Sequence, residues 1–132
     1  MPPRFAVTGL VVQDMAATLA FYRRLGLAIP PEADAEPHVQ FPVAPGIDIT
    51  WDTDDTMKSF DPGWVEPGPG HRTALGFACD SPAEVDATYA DLTGAGYEGH
   101  LAPFDAFWGM RYATLHDPDG SAVDLYALLP TE

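Results

Sequence analysis

The chain carries an internal duplication, and this feature constrains its fold more than any other. Val11-Val12-Gln13-Asp14 leads into a stretch with helical spacing that ends near Gly26, and Phe77-Ala78-Cys79-Asp80 leads into a second one that ends near Gly94. The two acids are 66 residues apart, half of the 132-residue length. Such a repeat predicts two similar modules, each built from strands and one helix. We expect the seam between such modules to form a concave site.

Composition indicates a globular protein whose partner is a small molecule. Hydrophobic residues make up 46% of the chain, and the length predicts one domain over residues 1–132. The net charge is −14, which argues against a nucleic-acid partner because few side chains can neutralise phosphates. No apolar run approaches the roughly 20 residues of a membrane helix, and the first residues lack a secretory h-region. The single cysteine, Cys79, excludes an internal disulfide and fits a cytoplasmic protein.

The first module is predicted to contain a strand, a helix and two further strands. Residues 5–12 predict a buried strand, and Asp14 stands at the expected N-cap of the helix. Three- and four-residue spacing predicts an apolar helix face formed by Met15, Leu19, Tyr22 and Leu25. Two more strands, at 39–41 and 47–51, turn at Ala44-Pro45-Gly46.

A connector rich in proline and glycine, residues 53–70, separates the first module at 1–52 from a second at 71–132. Its length and composition predict a loop without regular structure. In the second module Ser81-Pro82-Ala83-Glu84 has the form of a capping box, and Asp117-Pro118-Asp119-Gly120 predicts a tight turn. Strands are predicted at 72–79, 97–101, 111–115 and 122–128. We interpret each module as β-α-β-β-β.

The order and spacing of three elements point to one group of proteins. The elements are Val12-Gln13-Asp14-Met15 followed by Phe21-Tyr22-Arg23-Arg24-Leu25-Gly26-Leu27, then Tyr89, Leu92 and Ala95-Gly96, then Asp117 to Leu125. Together they resemble the vicinal oxygen chelate superfamily of glyoxalase I, extradiol dioxygenases and antibiotic-resistance proteins. The resemblance implies an α+β fold in which two βαβββ modules form a half-barrel cleft, the glyoxalase/bleomycin resistance fold. It also implies a homodimer with exchanged elements.

A narrower resemblance runs through both modules. It is carried by Pro37-His38, Trp51-Asp52-Thr53, Ser59 to Trp64 and Trp108-Gly109-Met110-Arg111-Tyr112-Ala113. These segments resemble mitomycin-binding resistance proteins of the bleomycin-resistance-like, drug-sequestering branch. In that branch aromatic rings sandwich the planar ligand, and the resemblance places His38 and Trp108 in those positions. The implied ligand is a planar aromatic or quinone-type antibiotic.

Enzymes of the superfamily hold a divalent metal with side chains from four strands. The resemblance places these four positions at Val7, Thr50, Thr73 and Asp124. A catalytic metal usually needs about three ligands from His, Asp, Glu or Cys, and this set contains one. Arg72 lies one residue from Thr73, and Asp48 and His71 each lie two residues from the nearest of these positions, Thr50 and Thr73. We therefore predict that the protein uses no metal and no other cofactor.

The remaining candidates for ligand contact are aromatic and polar residues near strand ends. The run Phe104-Asp105-Ala106-Phe107-Trp108-Gly109 precedes a strand, where flat rings would offer a stacking surface. Phe60, Phe77 and Phe104 are expected in the core instead. For Arg111 the alternative is an ion pair with an acid such as Asp124. The predicted ligand-binding set is His38, Trp51, Trp64, Phe107, Trp108, Arg111, Tyr112 and Asp124.

These patterns predict a non-enzymatic, cytoplasmic homodimer that sequesters a planar antibiotic or natural product, with no nucleic-acid or membrane partner. Two alternatives stay open. One is a metal-dependent lyase or dioxygenase of the same superfamily, in which Asp124 would be a metal ligand. The other is an accessory protein of natural-product biosynthesis that carries or modifies an intermediate. The sequence has no Gly-x-Ser-x-Gly elbow and no phosphate-binding glycine loop.

Overall fold

The computed structural model describes residues 2–68 and 72–131, and the chain divides into two compact units between residues 68 and 69. The first unit contains β1 (Val7–Val12), α1 (Met15–Arg24), a 3-10 helix (Pro31–Ala35), β2 (His38–Ala44), β3 (Ile47–Thr53) and α2 (Asp54–Phe60). The second contains β4 (Ala74–Ala78), α3 (Pro82–Gly94), β5 (Glu98–Asp105), β6 (Met110–His116) and β7 (Ala122–Leu128). No helix within the described ranges is long and apolar enough to cross a membrane.

The first unit is a three-stranded sheet, ordered β1-β3-β2, with α1 against one face. β1 runs parallel to β3, and β2 runs antiparallel to it. The predicted cap of α1 is confirmed, because the Ala17 N–H donates to Asp14 Oδ1 at 3.1 Å. Leu19 and Tyr22 are fully buried, and the Tyr22 ring lies 5.5 Å from the ring of Trp51 on β3. These side chains form the core of the unit.

The second unit is a four-stranded sheet, ordered β4-β7-β6-β5, with α3 packed against β5, β6 and β7. The bond from the cap side chain that defines the predicted capping box is confirmed: the Glu84 N–H donates to Ser81 Oγ at 3.2 Å. The Glu84 carboxylate accepts from the N–H of Asp80, one residue before the cap. The fully buried side chains of this unit are Val85, Leu92, Ala113, Leu115, Val123 and Leu125.

The predicted turn between β6 and β7 is also confirmed. Asp117 Oδ1 accepts from the N–H groups of Asp119 and Ser121, each at 2.9 Å. Gly120 has a φ of +85°, a conformation that glycine adopts without steric cost. This turn sets the start of β7 at Ala122, where the sequence predicts it.

The first unit departs from the predicted β-α-β-β-β pattern. Residues 2–68 contain three strands, one fewer than the β-α-β-β-β pattern requires, and the segment after α1 forms a loop and a 3-10 helix. Pro30 and Pro31 begin this segment and have no N–H to donate to a strand partner. The order and relative direction of the strands match between the two sheets when β1, β3 and β2 are compared with β4, β7 and β6. The strand without a counterpart in the first sheet is therefore β5.

The predicted structureless connector, residues 53–70, begins with a strand end and a helix. Thr53 is the last residue of β3 and caps α2, since the Thr56 N–H donates to Thr53 Oγ1 at 3.2 Å. Asp54 and Asp55 occupy the first turn of α2, where negative charge is favourable. The prolines and glycines that indicated a loop all follow this helix. Residues 69–71, which include His71, lie outside the described residues.

Candidate functional site

Side chains on β6 and β7 alternate between two faces of the second sheet. Ala113 and Leu115 are fully buried on the face that α3 covers. Tyr112 and Thr114 point to the opposite side, where Thr114 pairs with Asp124 of β7. We call this side, which also carries Phe104, His116 and Tyr126, the helix-free face.

Four aromatic rings meet at one end of the helix-free face. We call Phe104, Phe107, Trp108 and Tyr112 the aromatic cluster. The Trp108 ring centroid lies 5.0 Å from that of Phe107, 5.3 Å from Tyr112 and 6.3 Å from Phe104, all in edge-to-face contact. The exposed fraction is 97% for Phe107, 47% for Trp108 and 37% for Phe104. The cluster therefore presents a substantial exposed aromatic surface.

A tight loop between β5 and β6 holds the two most exposed rings. The Ala106 N–H donates to the Met110 carbonyl at 2.8 Å, and the Gly109 N–H donates to the Ala106 carbonyl at 3.0 Å. The Gly109 carbonyl in turn accepts from the Leu129 N–H at 3.0 Å. Gly109 has a φ of +87°, so the glycine that follows Trp108 in the sequence is required by the backbone. The exposed Phe107 side chain thus belongs to a loop that backbone hydrogen bonds hold in place.

A hydrogen-bonded carboxylate lies beside the cluster. Tyr112 Oη donates to Asp124 Oδ2 at 2.5 Å, and Thr114 Oγ1 donates to Asp124 Oδ1 at 2.8 Å. Burial, followed by the hydrogen bond to the Asp124 carboxylate, raises the pKa of Tyr112 to about 12. Tyr112 therefore stays a neutral donor at pH 7, and Asp124 is an acceptor for two hydroxyls of its own sheet.

Arg111 lies on the other side of the sheet from the aromatic cluster and is engaged by two carboxylates, so its contact with a ligand stays a prediction. Arg111 Nε donates to Asp86 Oδ1 on α3 at 2.9 Å, and Nη1 donates to Asp105 Oδ1 at 3.1 Å. Neighbouring residues of a strand face opposite ways, which separates Arg111 from Tyr112. The alternative prediction, that Arg111 forms an ion pair, is confirmed, but its partners are Asp86 and Asp105 instead of Asp124.

The three remaining candidates belong to the first unit and have different environments. Trp51 is fully buried against Tyr22 in the core of the unit, and its contact with a ligand stays a prediction. It lies on the face of β3 that meets α1, which its position in the strand decides. Trp64 is partly exposed and has Lys58 Nζ at 5.8 Å from its ring. His38 is exposed, and its Nδ1 lies 2.5 Å from Asp52 Oδ1.

Two phenylalanines expected in the core lie at the surface. Phe60 is 67% exposed because it ends the short helix α2, and Phe104 lies on the edge strand β5. Phe77, the third, is partly exposed. Phe104 and Thr114 are site residues that the sequence analysis did not propose. The two-residue spacing from Tyr112 to Thr114 would have placed Thr114 on the same face.

The structure shifts the internal repeat by one residue. Asp14 caps α1, but the cap of α3 is Ser81, not the acid before it. The first-strand position that superfamily enzymes use for a metal ligand lies seven residues before the cap in this numbering. It stays at Val7 in the first unit and moves from Thr73 to Ala74 in the second.

The residues at the four metal-ligand positions do not fit a catalytic metal. The positions are Val7, Thr50, Ala74 and Asp124. Val7 and Ala74 have no donor atom in their side chains, and the Thr50 side chain is a neutral hydroxyl. Within residues 2–68 and 72–131, no group of three or more His, Cys, Asp or Glu side chains is arranged to hold a metal ion. The donor set is therefore too small for the metal chemistry of the fold.

The other end of the helix-free face carries two histidines. The rings of His100 and His116 are stacked, with centroids 4.8 Å apart and an interplanar angle of 20°. His116 Nδ1 is hydrogen-bonded to Glu98 Oε1. The stacked imidazoles do not converge on a common point, so the pair is a structural contact between β5 and β6.

Comparison with known proteins identifies the family. Residues 4–125 match the model of the family described as the Glyoxalase/Bleomycin resistance protein/Dioxygenase superfamily. The chain belongs to this superfamily. The comparison with curated proteins gives no match. Membership confirms the vicinal oxygen chelate resemblance and the α+β fold.

Several solved structures share this fold. A glyoxalase/bleomycin resistance protein/dioxygenase family enzyme from Burkholderia phytofirmans PsJN is 18% identical, with a TM-score of 0.80 over 94% of this chain and 98% of its own. A protein of unknown function from Agrobacterium tumefaciens str. C58 is 27% identical, with a TM-score of 0.73 over 98% and 97%. A lactoylglutathione lyase from Agrobacterium tumefaciens is 21% identical, with a TM-score of 0.65 over 96% and 94%.

Proposed function

We propose that the protein binds a planar organic molecule, an antibiotic or a natural product, against the aromatic cluster and sequesters it without transforming it. The observation that carries this proposal is the exposure of Phe107, Trp108 and Phe104 at one end of the helix-free face. Exposed apolar surface of this kind marks interaction sites on soluble proteins.

The loop between β5 and β6 gives the proposed site its rigidity. In this loop the Ala106 N–H donates to the Met110 carbonyl, the Gly109 N–H donates to the Ala106 carbonyl, and the Leu129 N–H donates to the Gly109 carbonyl. A preformed site loses little conformational entropy on binding. A ligand ring that stacks on Trp108 gains roughly 0.5–1.5 kcal/mol beyond the burial of its area. A flat polycyclic ligand that also contacts Phe104 and Phe107 gains in proportion.

Binding without chemistry is supported by the composition of the metal-ligand positions. Val7 and Ala74 offer no donor, and Asp124 accepts from Tyr112 and Thr114. A metal-dependent lyase or dioxygenase has less support for this reason. The homodimer and the cytoplasmic location stay predictions, as does the closeness to mitomycin-binding proteins.

The experiment is a calorimetric titration with a panel of planar compounds that includes a mitomycin and an anthracycline. Trp108→Ala and Phe107→Ala should each weaken the binding of any ligand found, with Trp108→Ala costing about tenfold or more. The matched control is Phe60→Ala, which removes an exposed phenylalanine outside the cluster and should leave affinity unchanged. Binding that is insensitive to Trp108→Ala would refute the site.

A second measurement tests the absence of chemistry. Each bound compound is incubated with the protein, with and without added divalent metal, and is then recovered for mass spectrometry. Recovery of the unchanged compound supports sequestration. A product that depends on added metal and on Asp124 would support the lyase or dioxygenase alternative. A product independent of metal would support the biosynthetic accessory role.

A further inference from the structure

The carboxylate of Asp124 has acceptor capacity that its own sheet does not use. A carboxylate offers about four lone-pair sites, and the two hydrogen bonds described for Asp124 come from the neutral hydroxyls of Tyr112 and Thr114. The ion pairs described within residues 72–131 join Arg111 to Asp86 and Asp105 and join His116 to Glu98. The negative charge of Asp124 therefore has no cationic partner among these described contacts.

The space beside Asp124 is bordered by a residue without a side chain. Gly76 of β4 pairs directly with Asp124. A Cβ atom placed on Gly76 would meet only the ring of Tyr126, whose Cε1 lies 3.4 Å away. No β4 side chain at this position covers the carboxylate, which is partly exposed. Asp124 is thus partly exposed beside Tyr112, and the Tyr126 ring lies over Gly76.

Tyr112 connects this carboxylate to the aromatic cluster. Its ring lies 5.3 Å from the Trp108 ring, and its hydroxyl donates to Asp124. A single side chain, Tyr112, thus separates the Trp108 ring from the Asp124 carboxylate. The net charge of −14 adds long-range attraction for a cation.

We infer that the ligand of the aromatic cluster is a planar aromatic cation whose protonated nitrogen is received by Asp124. The inference rests on the proposed function and specifies its ligand class. A bare quinone presents acceptor oxygens to a carboxylate and is disfavoured, whereas an amine-bearing ring system forms a charge-assisted hydrogen bond. Asp124, at a position where the fold's enzymes hold a metal ion, then determines ligand specificity.

The test compares two three-ring probes of similar shape by calorimetry. The first is 9-aminoacridine, a cation at neutral pH, and the second is acridone, which is neutral. The wild-type protein should bind the cation about tenfold more tightly, and Asp124→Asn should reduce this ratio to about one while acridone affinity changes by less than about threefold. The matched control is Asp86→Asn, which removes a carboxylate from the helix-covered side and should keep the tenfold ratio.

The outcomes separate this inference from the proposed function. Equal binding of the two probes, weakened for both by Trp108→Ala, would overturn the cation preference and leave the aromatic site standing. Binding of neither probe, nor of any planar compound, would refute both. If Asp86→Asn reduces the affinity ratio of the two probes as much as Asp124→Asn does, the preference for the cation comes from overall charge, and the role of Asp124 is overturned.

A measurement on the wild-type protein covers the case in which Asp124→Asn does not fold. The carboxyl carbon of Asp124 is followed by NMR during titration with each probe. Its resonance should shift with 9-aminoacridine in step with the calorimetric saturation and shift little with acridone. A resonance that stays unmoved while the cation binds would overturn the inference.

Discussion

Asp117 is predicted to stabilise the turn that positions β7 and therefore Asp124. Its buried Oδ1 accepts from the N–H groups of Asp119 and Ser121, each at 2.9 Å. Asp117→Ala leaves both donors without this partner. A hydrogen bond of this kind contributes about 1–1.5 kcal/mol net, so the loss of two predicts a decrease of about 2–3 kcal/mol in the free energy of unfolding.

Urea unfolding followed by circular dichroism measures this decrease. With a slope of roughly 1–3 kcal/mol per molar urea, the midpoint should fall by about 1–2 M. Asp117→Asn is the matched control, because its amide oxygen can still accept from both N–H groups. The control should lose less than about 1 kcal/mol. If both variants unfold at the same urea concentration, the carboxylate does not stabilise the turn in this way.

Three further predictions address the two faces of the second sheet. The pKa of Tyr112 is raised from its ordinary 10.0 to about 12 in the folded protein, so Tyr112 ionises in the unfolded chain first as the pH rises. The free energy of unfolding should therefore fall as the pH rises from 10 to 12, and it should fall less in Tyr112→Phe. Urea unfolding at each pH measures this difference. Arg111 ties Asp105, the last residue of β5, to Asp86 on α3, so Arg111→Met should speed amide exchange in the following loop and weaken ligand binding at the cluster; unchanged exchange would refute this role. In Gly99→Ala the new Cβ atom would lie 2.1 Å from Tyr89 Oη, so the free energy of unfolding should fall by about 1–3 kcal/mol. In the double variant with Tyr89→Ala, the part of this loss that comes from the clash should disappear.

Helix ends and turns were predictable because their causes are local. Asp14 and Ser81 bond to N–H groups three residues away, and Asp117 bonds to groups two and four residues away. Signals of this range can be found in the sequence without knowledge of the fold. The repeat aligned Asp14 with Asp80, whereas the capping box placed the second cap at Ser81, one residue later. The structure agrees with the capping box.

Segment composition was a weaker guide than these local bonds. The prolines and glycines after Asp61 indicated that residues 53–70 form a loop, although Thr53 and the acids that follow it satisfy a helix start. Conversely, Pro30 and Pro31 prevented the fourth strand that the repeat predicted. An average over a long segment conceals such short elements.

The sequence by itself determined the helix caps and the turn at Asp117, because each depends on residues close together in the chain. It also determined the duplicated pattern and the superfamily, because these depend on the order and spacing of motifs along the chain. The tertiary structure alone decided which side chains share a surface. Strand pairing brings Thr114 and Tyr112 to Asp124, and it turns the adjacent Arg111 towards α3. Pairing between strands far apart in sequence is set by packing of the whole sheet, so the aromatic cluster and its carboxylate became one candidate site only when the chain had folded.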